Sequence, residues 1–513
     1  MEIPTVTSFL ERASSTTTPT TTSTVTSLLD DVRAWRGACV NSKDVQDELI
    51  AAGVASALML FLRACELGSG GETEVLKSMA LARRVGWQAL GNLCAGNEIA
   101  AASVFEAIMA TDGTEDTVSA LSVLEIGLVA ATSDSALASV IAGVTYTSAR
   151  GAHTRLTMLV KHERIFLSLL RLAQPAHVTT TTAMATTTTT TVKDDDDDGP
   201  GEWIGFLTET LFLEGIFPSA LVVARRGLCA TALFDDNEEK RLQQAPRGFG
   251  ITTEVTVLVF ALQAAVEASI YGSSSGSGSG DGSSAGATVI ARSSLTVGQR
   301  LRECAPVLRQ LFIEASAGAL DQNLDTSPLL THLHIALCLR TVGATLSLLT
   351  DDAACGGKNS LGDYGDGGVI GTTEIECEMI GTYISTLLIA AAVTTGSSSS
   401  SSSSSSDEKR LPEPLPPRFQ STLARALALL FADASVTGGA AFERGAINAD
   451  GVAGLLAHTG FTERAPTLRE WALLGVRRLA AARGDAGDAA RKSISEAADS
   501  ARNANEAMQN IGK

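Results

Sequence analysis

The sequence predicts an all-α chain built as a solenoid of stacked helical repeats, with low-complexity runs left as loops. Composition is the first reason. Only 4% of the 513 residues are aromatic, and Ala and Leu fill the stretches between the biased runs. That mixture suits helices better than sheets. The second reason is the biased runs themselves. Thr-, Asp-, Gly- and Ser-rich segments interrupt the chain repeatedly, and helical periodicity resumes after each one. A single compact core rarely tolerates so many long structureless loops, whereas a repeat array does, because each repeat touches only its neighbours. The third reason is internal similarity between residues 35–42 and 90–97.

Residues 1–27 are dominated by Ser and Thr and are expected to form a disordered tail. Residues 28–175 carry the N-terminal repeats. Trp35-Arg-Gly-Ala-Cys-Val-Asn-Ser42 aligns with Leu90-Gly-Asn-Leu-Cys-Ala-Gly-Asn97, which sets Cys39 on Cys94, Ala38 on Leu93 and Ser42 on Asn97. After the first copy, segment 44–53 closes at Gly53, which can take φ > 0 without penalty, and a Leu-rich segment 54–62 follows. A helix ending in a small polar turn, a second closing at Gly and a Leu-rich third resemble an armadillo repeat. That resemblance implies a right-handed α-solenoid. The 55-residue offset between copies exceeds the roughly 40–47 of such repeats, and the Gly- and acid-rich 67–74 supplies the excess as a loop. Residues 176–199 read as a Thr/Asp-rich linker. Residues 200–395 read as central repeats with a Gly/Ser-rich insert at 272–286 and a Gly/Asp-rich loop at 351–371. A Ser/Pro-rich linker at 396–417, a C-terminal domain at 418–482 and a polar, Ala-rich helical tail at 483–513 complete the chain.

The C-terminal domain has the sharpest pattern. Pro466 fixes φ and lacks an N–H, which suits the first turn of a helix. Leu468, Trp471, Ala472, Gly475 and Leu479 then recur at i, i+3, i+4, i+7 and i+11. They make one apolar stripe, with Glu470 and Arg477 opposite. Arg469-Glu470-Trp471-Ala472 after Pro466, followed by Arg477 and Leu479, closely resembles the signature helix of the ataxin-10 family. Residues 84–98 resemble that family's N-terminal repeat. Glu202, Trp203 and residues 213–218 resemble a middle segment, and 419–425 the opening of its C-terminal domain. The resemblance implies a non-catalytic, armadillo-type cytoplasmic protein that acts in cytokinesis, cell morphology and signalling. It also implies protein partners such as a G-protein β subunit or a protein-glycosylating enzyme.

Charge narrows the partners further. The 39 basic and 57 acidic residues give a net charge of −18, which argues against nucleic acid and anionic membrane surfaces. Eight cysteines include no CxxC pair, and several sit in apolar helical patterns, so they read as buried thiols of a reducing compartment. Glu2 and Glu11 flank no apolar core of a secretory signal, and the Ser/Thr-rich start is poor in Arg for a transit peptide. The longest apolar run, 379–393, is broken by Gly381, Thr382 and Ser385 and is too short for a span, so it is expected to be a buried helix.

No catalytic, cofactor or metal constellation stands out. His332 and His334, at i and i+2, point apart on a helix and read as a solvated face or loop. Gly272-x-Ser-x-Gly276 and the GxGxxA at 280–285 follow from Gly/Ser composition. Asp194 to Asp198 reads as a solvated linker. Two features can bind a partner. Gln88 and Asn92 stand i and i+4 apart on the expected third helix of a repeat, where peptide-binding armadillo proteins use an Asn to hold an extended backbone. The competing role for Asn92 is a local bond near Gly96 and Asn97. The ladder is broken, since Gly37, Leu429 and Arg478 occupy the matching positions elsewhere. Arg469 and Glu470 are the other binding candidates. Pro466, Trp471 and Leu479 are expected to be structural, with Trp471 packed in the core like Trp35, Trp87 and Trp203, and Glu470 favoured by the helix dipole. The expectation is a non-catalytic protein-interaction scaffold, with self-association to a homo-oligomer left open. A helical-repeat structural or cargo-binding subunit is the alternative.

Overall fold

The computed structural model describes residues 5–14, 22–40, 42–67, 73–110, 121–173, 199–227, 251–271, 294–321, 328–354, 374–396, 415–430, 437–459, 466–481 and 485–511. Among the described residues there are twenty-one helices and no strand, so the all-α expectation holds. The biased runs at 176–198, 272–286, 355–371 and 397–414 lie outside the described residues. Contacts divide the chain after Ala224. Residues 1–181 and 189–224 make one unit, and 182–188 with 225–513 make the other. The boundary therefore does not follow the 176–199 linker, because the helices after it pack back into the first unit.

The first unit comprises α1 (Val6–Ser14), α2 (Thr22–Ala38), α3 (Lys43–Ala51), α4 (Val54–Leu67), α5 (Thr73–Cys94), α6 (Glu98–Met109), α7 (Val123–Ala131), α8 (Ser135–Ala149), α9 (His153–Lys161), α10 (Glu163–Leu172), α11 (Pro200–Leu213) and α12 (Phe217–Ala224). Helices pack on those three places along the chain. One row is α1–α4–α7–α10, a second is α2–α5–α8–α11, and α3 meets α6 as α9 meets α12. The turns between three-helix groups repeat in their spacing. α5 ends at Cys94, Gly96 follows at φ +73, and α6 begins at Glu98; α8, Gly151 (φ +86) and α9 are spaced alike, as are α11, Gly215 (φ +77) and α12. Glycine takes such φ values without the Cβ penalty. Gly96 and Gly151 stand 55 residues apart, the same offset as Cys39 and Cys94.

Polar side chains tie these turns together. Asn97 Oδ1 caps α6 by accepting from Ile99 N (3.1 Å) and Ala100 N (3.2 Å), while its Nδ2 donates to Asp47 Oδ1 at 2.7 Å. Glu98 pairs with Arg155 at the start of α9. His153 Nδ1 lies 3.8 Å from Glu214 Oε2 beside Gly215. The N-terminus departs from the expected disordered tail. Val6–Ser14 is a helix, and Phe9 is fully buried with its ring centroid 4.8 Å from Trp35 and 6.1 Å from Phe61. The Ser/Thr content concealed that one aromatic anchor.

The second unit comprises α13 (Thr253–Tyr271), α14 (Ser294–Leu320), α15 (Pro328–Ala354), α16 (Glu374–Gly396), α17 (Pro417–Leu430), α18 (Thr437–Asn448), α19 (Gly451–Ala457), α20 (Pro466–Ala481) and α21 (Asp485–Ile511). One row runs α13–α15–α17–α20. In the other, α14 packs on α16 and α16 on α18 and α19, while α21 lies against α18, α19 and α20. The expected helical tail is thus a packed helix along its first turns.

Mid-helix glycines set how closely neighbours approach. A Cβ on Gly127 would lie 2.7 Å from the Trp87 ring, one on Gly143 3.0 Å from Trp203, and one on Gly343 3.1 Å from Phe419. The tightest crossing is α16 on α18. There a Cβ on Gly381 would collide with Phe442 O, and one on Gly445 with Glu378 O. Thr382 Oγ1 adds bonds to Glu378 O (2.9 Å) and Gly445 O (3.3 Å). Ser385 lies against Gly451 of α19. The residues that interrupt the apolar run are thus those that admit α18 and α19. By length and composition the stretch Ile375–Ala392 could cross a membrane, and half of it is buried within the protein.

Gly445→Ala should therefore lower stability by about 1–3 kcal/mol, because overpacking here meets backbone rather than a yielding side chain. Gly205 in α11 has nothing within 4 Å of its would-be Cβ. Gly205→Ala should instead stabilise by about 0.5–1 kcal/mol through helix propensity. Urea unfolding midpoints of the two variants check the pair, and equal signs would refute the packing account.

Candidate functional site

The first candidate pair is absorbed into the fold. Gln88 Oε1 accepts from Arg36 Nη1 at 2.6 Å, and Asn92 Nδ2 donates to Arg36 O at 3.1 Å. Both amides therefore bind α5 to the end of α2. Half-exposed Asn92 bonds to the neighbouring helix of the same row rather than locally near Gly96 and Asn97. Buried Gln46 completes the joint. Its Nε2 is shared among Asn92 O (2.8 Å), Ala95 O (3.1 Å) and Cys39 O (3.2 Å), carbonyls left over at the ends of α2 and α5. Gln46 and Arg36 escaped the sequence reading. A glutamine on the inner face of α3, beside Leu49, was the available signal.

Further along the same row, α8 and α11 meet through a cluster that sequence reasoning also missed. Tyr146, Trp203 and Phe206 lie with ring centroids 5.9 Å apart in each pair. The Arg150 guanidinium sits 5.7 Å from the Tyr146 centroid. Trp203 rests on Gly143 with one side still accessible, unlike Trp35 and Trp87, which are fully buried. The expectation that Trp203 is plain core is corrected. It sits at the rim because it lies in the first turn of α11. The cluster offers aromatic faces and a cation at one surface, the residue types that anchor protein interfaces.

In the C-terminal helix the stripe is borne out for Leu468, Ala472, Gly475 and Leu479, all buried. Pro466, Arg469 and Glu470 are exposed. Trp471 is only half-buried, at the seam with α17, where the Arg425 guanidinium lies 5.8 Å from its ring centroid. The core placement of Trp471 is therefore corrected. At i+3 it stands at the edge of the stripe, where α20 turns from its buried side toward α17.

Among the described residues no group of three or more His, Cys, Asp or Glu could hold a metal ion. Cys39, Cys65, Cys94, Cys304, Cys338 and Cys377 are buried thiols outside any disulfide. Burial pushes Cys39 up to about 11 and Cys94 and Cys304 up to about 12, so these thiols stay protonated. His334 is buried on α15, with Nε2 3.4 Å from Cys338 Sγ, which corrects the solvated reading. His458 Nε2 lies 3.1 Å from Leu388 O. Burial lowers the pKa of both imidazoles; Asp321 opposes the shift at His334, and the carbonyl opposes it at His458. The Gly/Ser motifs at 272–285 and Asp194 to Asp198 lie outside the described residues.

No protein-family model and no curated protein matches the sequence. Among solved structures, an engineered protein determined by the Northeast Structural Genomics Consortium matches at 12% identity, covering 93% of this chain and 98% of its own. Its TM-score is 0.28, too low to carry an argument about this fold.

Asn92→Ala should cost about 1 kcal/mol, the worth of a bond across two half-exposed helix ends. A variant of unchanged stability that loses a protein partner would return Asn92 to a binding role. The imidazoles give a pH dependence. Their folded-state pKa values are depressed, so the unfolded chain binds more protons below about pH 6.5. Their stabilisation is present above that value and is lost as pH falls. Thermal midpoints should drop between about pH 7 and 5, and less steeply in the His334→Leu, His458→Gln variant; parallel profiles would sink this assignment.

Proposed function

We propose that the chain is a right-handed, armadillo-type α-solenoid that serves as a protein-interaction scaffold of the ataxin-10 kind. The observation that carries this reading is the row α2–α5–α8–α11. Every third helix stacks on the last, the glycine turns recur with one spacing, and half-exposed Tyr146 and Trp203 with exposed Phe206 and Arg150 line that row. A row of equivalent helices brings side chains from successive repeats into one extended surface, which is how repeat arrays bind. The resemblance carried by Arg469, Glu470 and Trp471 adds the cytoplasmic setting and roles in cytokinesis, cell morphology or signalling. It also adds a G-protein β subunit or a protein-glycosylating enzyme as partners. No cofactor, metal or turnover is assigned to the chain.

The test is affinity purification of the tagged full chain. A protein partner should co-purify in stoichiometric amount, and Arg150→Glu with Phe206→Ser should release it while leaving the circular dichroism spectrum unchanged. Absence of any stoichiometric partner would sink the scaffold reading. Retention by that variant would move the interface off the α8–α11 surface.

A further inference from the structure

The net charge of −18 favours basic partners, yet one face of the second unit has the opposite sign. Helices α17 and α20 pack side by side. Together they carry Arg418, Arg425, Arg469, Arg477 and Arg478 against the single acid Glu470, a net charge of +4. Arg418, Arg425 and Arg477 share one face with Glu470, which stands seven residues before Arg477 on the same side of α20, and Arg478 is taken up in the seam. Beyond the first three residues of α17, positions 421, 422, 425 and 429 are the half-exposed ones, and exposed Arg418 stands seven residues before Arg425, so Arg418 and Arg425 lie on its outer side. The seam to α20 is fixed by Ser421 Oγ at 3.1 Å from Thr467 Oγ1, by Arg425 over Trp471, and by Arg478 donating to Ala428 O. One residue before Arg478, Arg477 turns outward to solvent. Arg469 points the other way, to the side where Ala480 O accepts from Arg491 of α21 at 2.7 Å. The next helix of the row, α15, extends the pattern with Arg340, whose guanidinium lies 5.3 Å from the Phe260 centroid on α13.

We infer that the α17–α20 face binds an acidic protein segment that carries apolar side chains. This deepens the scaffold reading and rests on it. Planar guanidiniums match carboxylates two oxygens at a time, and the aromatic rings beneath them offer apolar contact between the charges. An acidic peptide suits this face better than nucleic acid. The positive charge is confined to a short patch without lysine, and the rest of the chain repels a long polyphosphate.

The probe is a labelled peptide of about twelve residues alternating Glu with Leu or Phe, titrated into the full chain and followed by fluorescence anisotropy. Binding should weaken as salt rises. Arg418→Glu with Arg477→Glu should lower affinity by about tenfold or more, while Arg469→Glu, on the α21 side, should change it less than about twofold. Equal loss from both variants, or none from either, would overturn the assignment. So would tighter binding of an oligothymidylate of equal charge, which would mark a general polyanion surface. If the co-purifying partner persists in the double variant, the scaffold reading stands and this surface is excluded.

Discussion

Everything in this fold depends on how closely helices can approach at glycine. Among the described residues, helix after helix carries a glycine under a neighbour's side chain or backbone, among them Gly127 under Trp87, Gly143 under Trp203, Gly343 under Phe419, Gly475 under Leu455, and Gly381 and Gly445 against each other's helices. Each glycine costs helix propensity of about 1 kcal/mol relative to Ala. The return is a flat bed for a ring or a peptide plane. Burying a Trp or Phe against such a bed is worth about 3–5 kcal/mol by the cost of truncating it, so the exchange favours folding. It also fixes register along each row, because a ring matched to one glycine fits poorly one turn away. Aromatic residues are only 4% of the chain, so a few such seats carry much of the specificity.

Periodic elements were legible in the sequence because their signal is local. Leu468, Ala472, Gly475 and Leu479 are buried as their spacing required, and Gly53 takes φ +84 as its C-cap position required. What escaped was set by neighbours. Nothing in the spacing of Trp471 or Trp203 tells which flank of its helix meets the next row, and each proves half-buried. Gln88 and Asn92 lie on α5, but their partner Arg36 comes from more than fifty positions away, which no local spacing reveals. Phe9 was lost inside Ser/Thr composition. The Gly151 and Gly215 turns were readable as a third and fourth copy of the motif that holds Gly96, since each of the three glycines lies two residues after a helix end.

Charge is distributed by the same geometry. In the first unit, ionic and amide side chains run between successive turns and rows, as in Asp47–Asn97, Glu98–Arg155, Arg84–Asp134 and Arg36–Gln88. Most are partly exposed and individually weak, worth about 1 kcal/mol or less. Their contribution is orientation, since each links one three-helix group to the next at a defined offset. Arginine dominates these joints because its fork can bridge a carboxylate or carbonyl on one helix while its stem lies along another.

The C-terminal helix joins both themes. Its buried side is a packing device, with Gly475 receiving Leu455, and its opposite side is charged and open. Trp471 stands on the border, in contact with Arg425 of the preceding helix in the row. The half-buried ring holds α20 to α17 and leaves one edge beside Arg425. The residues that mark this helix in the sequence are therefore those that set the spacing of the two helices and the chemistry of the surface they share.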